Sequence, residues 1–155
     1  MHPTHIPLRV TTGAYILNSG LSKLKADEGT AEYLHGAAAS TYPSLVKDMQ
    51  PQTFTKMLAY GEVAVGAALL APMVSATKAG AALTGFGSAL MGMYFNTPSM
   101  TQEDGVRPTQ EGMSVAKDAW LVGAGLTLLS QGLIGTAKSE TKALTKTVKK
   151  ASPLS

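Results

Sequence analysis

A chain of 155 residues with 45% hydrophobic and 15% charged residues is long enough for one bundle and too short for several domains; ordinary soluble domains carry roughly 25% charge. The absence of cysteine excludes disulfides, thiol redox chemistry and thiolate metal sites. The net charge of +3 comes from a C-terminal lysine run without interleaved aromatics, a pattern that argues against nucleic acid as a partner.

The charges are segregated. None occurs from Val63 to Thr77, from Ala79 to Gln102, or from Ala119 to Ala137. A spanning helix needs about 20 apolar residues at ~1.5 Å each, and these gaps supply three. The first predicted helix, 8–24, is the most polar. Its Thr11, Tyr15, Asn18 and Ser22 recur at steps of four, three and four. They share one helical face, expected to turn into a bundle, with Val10, Ala14, Leu17 and Leu21 on the other. No signal-peptide pattern precedes it, so this helix is expected to be retained.

Residues 25–52 form a first long connection, with a short amphipathic helix near Ala31–Ala39 and breaks at Tyr42-Pro43 and Gln50-Pro51. Tyr33 and Tyr42 suit either a membrane interface or packing of this connection onto the bundle. The second helix is predicted over 54–74 and the third over 79–95, separated by a tight turn. In the third, Ala81, Gly85, Ala89 and Gly92 make a small-residue stripe suited to close helix packing. Residues 96–112 form the second long connection. The fourth helix is predicted over 114–137, and a basic tail follows over 138–155.

Four spans put both chain ends on the side of the 74–78 turn. That side carries Arg9, Lys78, Lys138, Lys142, Lys146, Lys149 and Lys150 against Glu140 alone. The basic density beside a helix end predicts that both termini are cytoplasmic. Lys138, Lys142, Lys146 and Lys150 recur on one helical face, and with Lys149 they are expected to meet anionic headgroups, worth about 1 kcal/mol per lysine near the surface.

Glu62 breaks the apolar run of the second helix, and a carboxylate in hydrocarbon costs at least ~2.5–3.5 kcal/mol. It lies two turns, about 12 Å, in from the outer end of its helix. The topology brings Asn18, Lys23, Tyr94, Lys117 and Asp118 to the same zone, with Arg107 in the loop above. Ala59 and Gly66 on Glu62's own face leave room for a neighbouring helix or a ligand. Glu62 is therefore expected to pair with Lys117 or Lys23, either fixing helix register or forming a polar pocket toward the outer leaflet. The histidines (His2, His5, His35) lie outside the spans, which removes a bis-histidine haem, and no metal signature or catalytic motif is present.

Leu8-Arg9, leading to Gly13-Ala-Tyr-Ile-Leu-Asn-Ser-Gly20-Leu-Ser-Lys23, resembles the opening helix of DoxX-like membrane proteins of the actinobacterial kind. Gly61-Glu62-Val-Ala-Val-Gly66 resembles their second helix. Tyr94-x-x-Thr97-Pro98, Arg107-Pro108-Thr109 and Ala116-Lys117-Asp118-x-Trp120 resemble their later signatures. The resemblance covers about Leu8 to Leu129. It implies an all-α, integral membrane four-helix bundle in a bacterial plasma membrane, and a link to redox complexes of the cell envelope. Some redox-linked relatives use cysteines, which this chain lacks.

The expected function is that of a non-catalytic subunit or scaffold in a larger, redox-linked envelope complex, with membrane lipids and other envelope subunits as partners. A homo-oligomer is compatible with the same sequence. The alternative is a subunit binding a quinone or lipid at the outer polar cluster. Quinone is the one cofactor candidate, and no metal is expected.

Overall fold

The computed structural model describes residues 3–151, with side chains from 3 to 148. The described residues are all-helical, with no strand beyond an isolated bridge between Thr101 and Pro108. A 3-10 turn (Pro3–His5) leads into α1 (Ile6–Lys23). α2 (Glu28–Thr41) and the four-residue α3 (Pro43–Val46) fill the first connection. α4 (Pro51–Leu70) and α5 (Ala76–Asn96) follow. A 3-10 turn (Pro98–Met100) and the four-residue α6 (Met113–Ala116) bracket the second connection before α7 (Ala119–Ala151).

The boundaries have local causes. Asp27 caps α2, its side chain accepting from Thr30 N at 2.7 Å. Pro43 and Pro51 open α3 and α4, where a missing N–H costs nothing. Pro72 holds Ala71 extended (φ −71°, ψ 118°), so α4 ends at Leu70 rather than at residue 74. Ser75 caps α5 through Lys78 N at 3.3 Å. α7 was expected to start at 114 and stop at 137. It starts after a break at Lys117-Asp118 and runs through the basic segment, because no proline interrupts it and the onset of charge does not stop a helix. Every described side chain from Leu133 on is exposed. The last ~25 Å of α7 therefore project beyond the bundle, with Lys138, Lys142 and Lys146 along one face. The side chains of Lys149 and Lys150, and residues 152–155, lie outside the described residues.

The four long helices form two antiparallel pairs, α1 with α4 and α5 with α7. Each helix carries small residues seven apart at its contact: Gly13 and Gly20, Ala59 and Gly66, Gly80 and Gly87, Gly125 and Gly132. A seven-residue step returns a side chain to the same face, so the backbones approach along a line. A Cβ on Gly20 would lie 2.7 Å from Ala59 O, and one on Gly66 would lie 2.7 Å from Leu17 N. Ile16, Leu69, Ala79, Leu83, Leu121, Ala124 and Leu128 then close a shared core between the pairs.

The packing stripe expected at Ala81, Gly85 and Ala89 faces outward, and Gly85 has open space around it. The contact is made at Gly80, Thr84 and Gly87 instead, because α7 is the main neighbour of α5 and lies along that face. Gly92 does pack closely, but against the Tyr42 ring from the first connection. Substitution should separate the two faces. Gly80→Ala puts a methyl 2.4 Å from Leu129 N, a backbone atom that cannot swing aside. It should cost ~1–3 kcal/mol of stability, read by thermal unfolding. Gly85→Ala should be neutral or gain up to ~1 kcal/mol from helix propensity alone.

α1 is also rotated from its expected setting. The buried residues are Arg9, Gly13, Ile16 and Gly20, whereas Thr11, Tyr15, Asn18 and Ser22 are exposed. Close approach to α4 requires the glycines inside, and this outweighs the hydroxyl stripe. Thr11 and Ser22 satisfy their hydroxyls on the helix itself, through Pro7 O and Asn18 O at 2.8 and 2.9 Å.

Arg9 is 1% exposed, yet no carboxylate approaches it within ion-pair distance among the described residues. Its guanidinium donates to four carbonyls: Leu69 O (2.7 Å), and Val74 O, Ala68 O and Ala71 O (2.9 Å each). They are carbonyls of the last turn of α4 and the turn after it, where the helix dipole favours a cation; Ala71 O also accepts from Val74 N at 3.2 Å.

Candidate functional site

Opposite the Arg9 end, the two helix pairs diverge around a cavity of about 240 Å³. α2 and the Met100, Ser114 and Val115 region cover it. Its wall combines Ile16, Leu58, Phe86, Leu90 and Met93 with the polar groups of Ser19, Lys23, Glu62 and Asp118.

Glu62 is the deepest of these, with its side chain 5% exposed. Its two carboxylate oxygens accept from Lys23 Nζ at 2.9 and 3.0 Å, and Lys23 also donates to Ser19 Oγ at 2.7 Å. The pair forms because Gly20 brings α1 against the Ala59–Val63 turn of α4. A lysine one turn further out then overhangs the carboxylate. Asp118 lies in the break before α7, half-buried in the same wall; its backbone bonds within the break, but its carboxylate makes no hydrogen bond among the described residues. A second depression of about 250 Å³ lies between Thr11, Thr12 and Tyr15 of α1 and Trp120 and Leu121 of α7. It shares Tyr15, Asp118 and Leu121 with the cavity wall.

Glu62, Lys23 and Asp118 thus meet at the cavity, and Lys23 rather than Lys117 is the ion-pair partner. Lys117 is exposed on the outer depression. Asn18 is exposed on the far side of α1. Tyr94 is buried, but its hydroxyl donates to Val106 O at 2.7 Å and ties down the second connection. Arg107 pairs with Asp104 within that connection. The Arg107 guanidinium and the N–H groups of Val106 and Arg107 hold the Asp104 carboxyl down at about 2, and Gly105 (φ 69°) makes the turn. The topology put Tyr94 and Arg107 at the correct end, but both are spent on the loop.

The sequence reading missed Ser19, Tyr33 and Ser114 in the wall. Ser19 had a signal, since it lies four residues before Lys23 on the same face. Tyr33 reaches the wall from α2; burial and the Glu111 carboxylate beside it raise its phenol above the usual range. Tyr42 donates to Ala89 O at 3.0 Å and packs the first connection onto α5. His35 meets Val46 O at 2.8 Å and stands edge-on to Phe54, a structural role. No group of three metal-ligating side chains occurs among the described residues.

By length and composition, Met113–Val148 is long and apolar enough to cross a membrane, and it alone among the described helices. Its most apolar stretch is 22% buried. No family model, curated protein or solved structure matches the chain.

Proposed function

We propose that the protein is a DoxX-like integral membrane four-helix bundle of a bacterial plasma membrane, with α1, α4, α5 and α7 crossing it and both chain ends cytoplasmic. Its function is to hold a small amphiphile of the quinone or lipid class in the cavity at the outer leaflet. The carrying observation is that cavity: an apolar chamber with a satisfied Glu62–Lys23 pair and an unpartnered Asp118 in one wall. A pair needed only for register would call for packed helices around it, not for 240 Å³ of space.

The membrane assignment is supported by the outward surface. α5 exposes Ala81, Ala82, Gly85, Ser88 and Ala89, and α1 exposes Ile6, Val10, Ala14 and Leu21, with no charge among them. Glycines and hydroxyls dilute the hydropathy of α1 and α5, and Lys56 and Glu62 that of α4, so composition alone understates these helices. The lysine face of α7 is suited to anionic headgroups on the cytoplasmic side.

The reading as a non-catalytic subunit of a redox-linked envelope complex is favoured by one observation, the open small-residue stripe at Ala81, Gly85 and Ala89. Purification in mild detergent, followed by solvent extraction and mass spectrometry, separates the two. A cavity-binding protein should yield about one extractable amphiphile per chain, lost in Asp118→Asn. Stoichiometric partner subunits with no extractable ligand would favour the subunit reading.

A further inference from the structure

Among the charged groups of the cavity wall, Lys23 and Glu62 satisfy each other and Asp118 is left over. Lys23 makes three contacts, to Ser19 Oγ, Glu62 Oε1 and Glu62 Oε2. The two oxygens of one carboxylate share an N–H, so the Lys23 charge and two of its three N–H bonds are committed to Glu62 and Ser19. Asp118, by contrast, has both oxygens without a hydrogen-bond partner among the described residues, and a carboxylate only accepts. A head that merely accepts, such as a quinone carbonyl or an ester, could bond to the Tyr15 or Ser114 hydroxyl or to Lys117 on the outer depression, but it would leave the Asp118 carboxylate desolvated and without a donor. A head that donates would satisfy it.

The outer depression indicates where the rest of such a molecule lies. Tyr15, Asp118 and Leu121 belong to both hollows, so a molecule bonded to Asp118 can run outward between α1 and α7. These two helices barely touch. The floor there is Thr11, Thr12 and Leu121, flanked by Trp120, which is 76% exposed.

We infer that the cavity selects amphiphiles whose head donates a hydrogen bond to Asp118, a hydroxyl or an amine (a quinol or phenol rather than a quinone), with the tail leaving between α1 and α7. The inference rests on the binding reading above and specifies its ligand.

The test uses the whole protein in lipid nanodiscs with two probes of nearly identical shape, 4-nonylphenol and its methyl ether 4-nonylanisole. Binding is followed by equilibrium dialysis and by the emission of Trp120, the single tryptophan of the chain. The phenol should bind at least ~10-fold more tightly than the ether, and Asp118→Asn should remove most of that preference. Phenol binding without any change in Trp120 emission would overturn the placement of the tail. Equal binding of both probes would overturn donor selection while leaving the binding reading intact. Failure of both to bind, together with an empty solvent extract, would overturn the binding reading as well. If Asp118→Asn does not fold, the wild-type ratio of the two affinities still decides.

Discussion

Arg9→Met should lower the stability of the bundle in detergent by at least ~3 kcal/mol, because hydrogen bonds to a charged group contribute ~1.5–3 kcal/mol each and four carbonyls lose the guanidinium at once, although Ala71 O keeps Val74 N. Methionine fills most of the volume, so the loss isolates the bonds from the packing. Arg9→Lys should recover only part of it. An ammonium keeps the charge at the C-terminus of α4 but cannot span four carbonyls as a planar fork does. Thermal unfolding followed by circular dichroism checks both. A loss under ~0.5 kcal/mol in Arg9→Met would mean that the carbonyls find other donors. The neighbouring cleft of about 580 Å³, lined by Thr77, Gln131 and Ser139, would then be the source.

Glu62→Gln should cost ~2–3 kcal/mol. Breaking a fully buried pair costs ~3–5 kcal/mol, and the Lys23 side chain, 23% exposed, retains some access to water. The amide accepts one bond from Lys23 but leaves a cation uncompensated beside the apolar wall. Lys23→Met alone should cost a similar amount by leaving Glu62 unpaired. The double variant should recover most of the loss, giving a coupling of ~1–3 kcal/mol in the cycle. Additive losses would show that the two residues act separately. Glu62→Gln paired with Lys117→Met should show no such recovery, because Lys117 points to the outer depression.

The parts of this fold that could be read from the sequence are those set by composition. Charge-free runs gave the existence of the second, third and fourth long helices, and prolines gave their joints. The end at which polar groups gather followed from topology. The faces did not follow. On α1, the hydroxyl stripe at Thr11, Tyr15, Asn18 and Ser22 and the glycine stripe at Gly13 and Gly20 compete for the interior. Polarity alone chooses the first, whereas close packing on Ala59 and Gly66 chooses the second. The same seven-residue step on α4, α5 and α7 was present in the sequence and would have settled the register. On α5 a four-residue stripe drew attention away from it.

The candidate site divides in the same way. Glu62 stood out because a lone carboxylate in an apolar run is costly. Lys23 became its partner because Gly20 admits the α4 backbone. Asp118 entered the wall because the chain breaks at Lys117-Asp118 instead of continuing one helix from residue 114. Arg9 was counted as a cytoplasmic charge, and its role as the cap of α4 needed the tertiary structure. Nothing in its neighbourhood in sequence connects it to Leu69 or Val74.

The central claim, that the four long helices cross the bilayer and hold the cavity toward its outer face, is tested most directly by single-cysteine labelling. The chain has no native cysteine, so each variant carries one reporter. Gln102→Cys, Ala81→Cys and Ser139→Cys would be treated with a membrane-impermeant maleimide in intact spheroplasts and again after lysis. The account predicts labelling at 102 in intact spheroplasts, labelling at 139 only after lysis, and protection at 81 until the bilayer is dissolved in detergent. Labelling at 81 without detergent, or labelling of 102 and 139 from the same side, would contradict it.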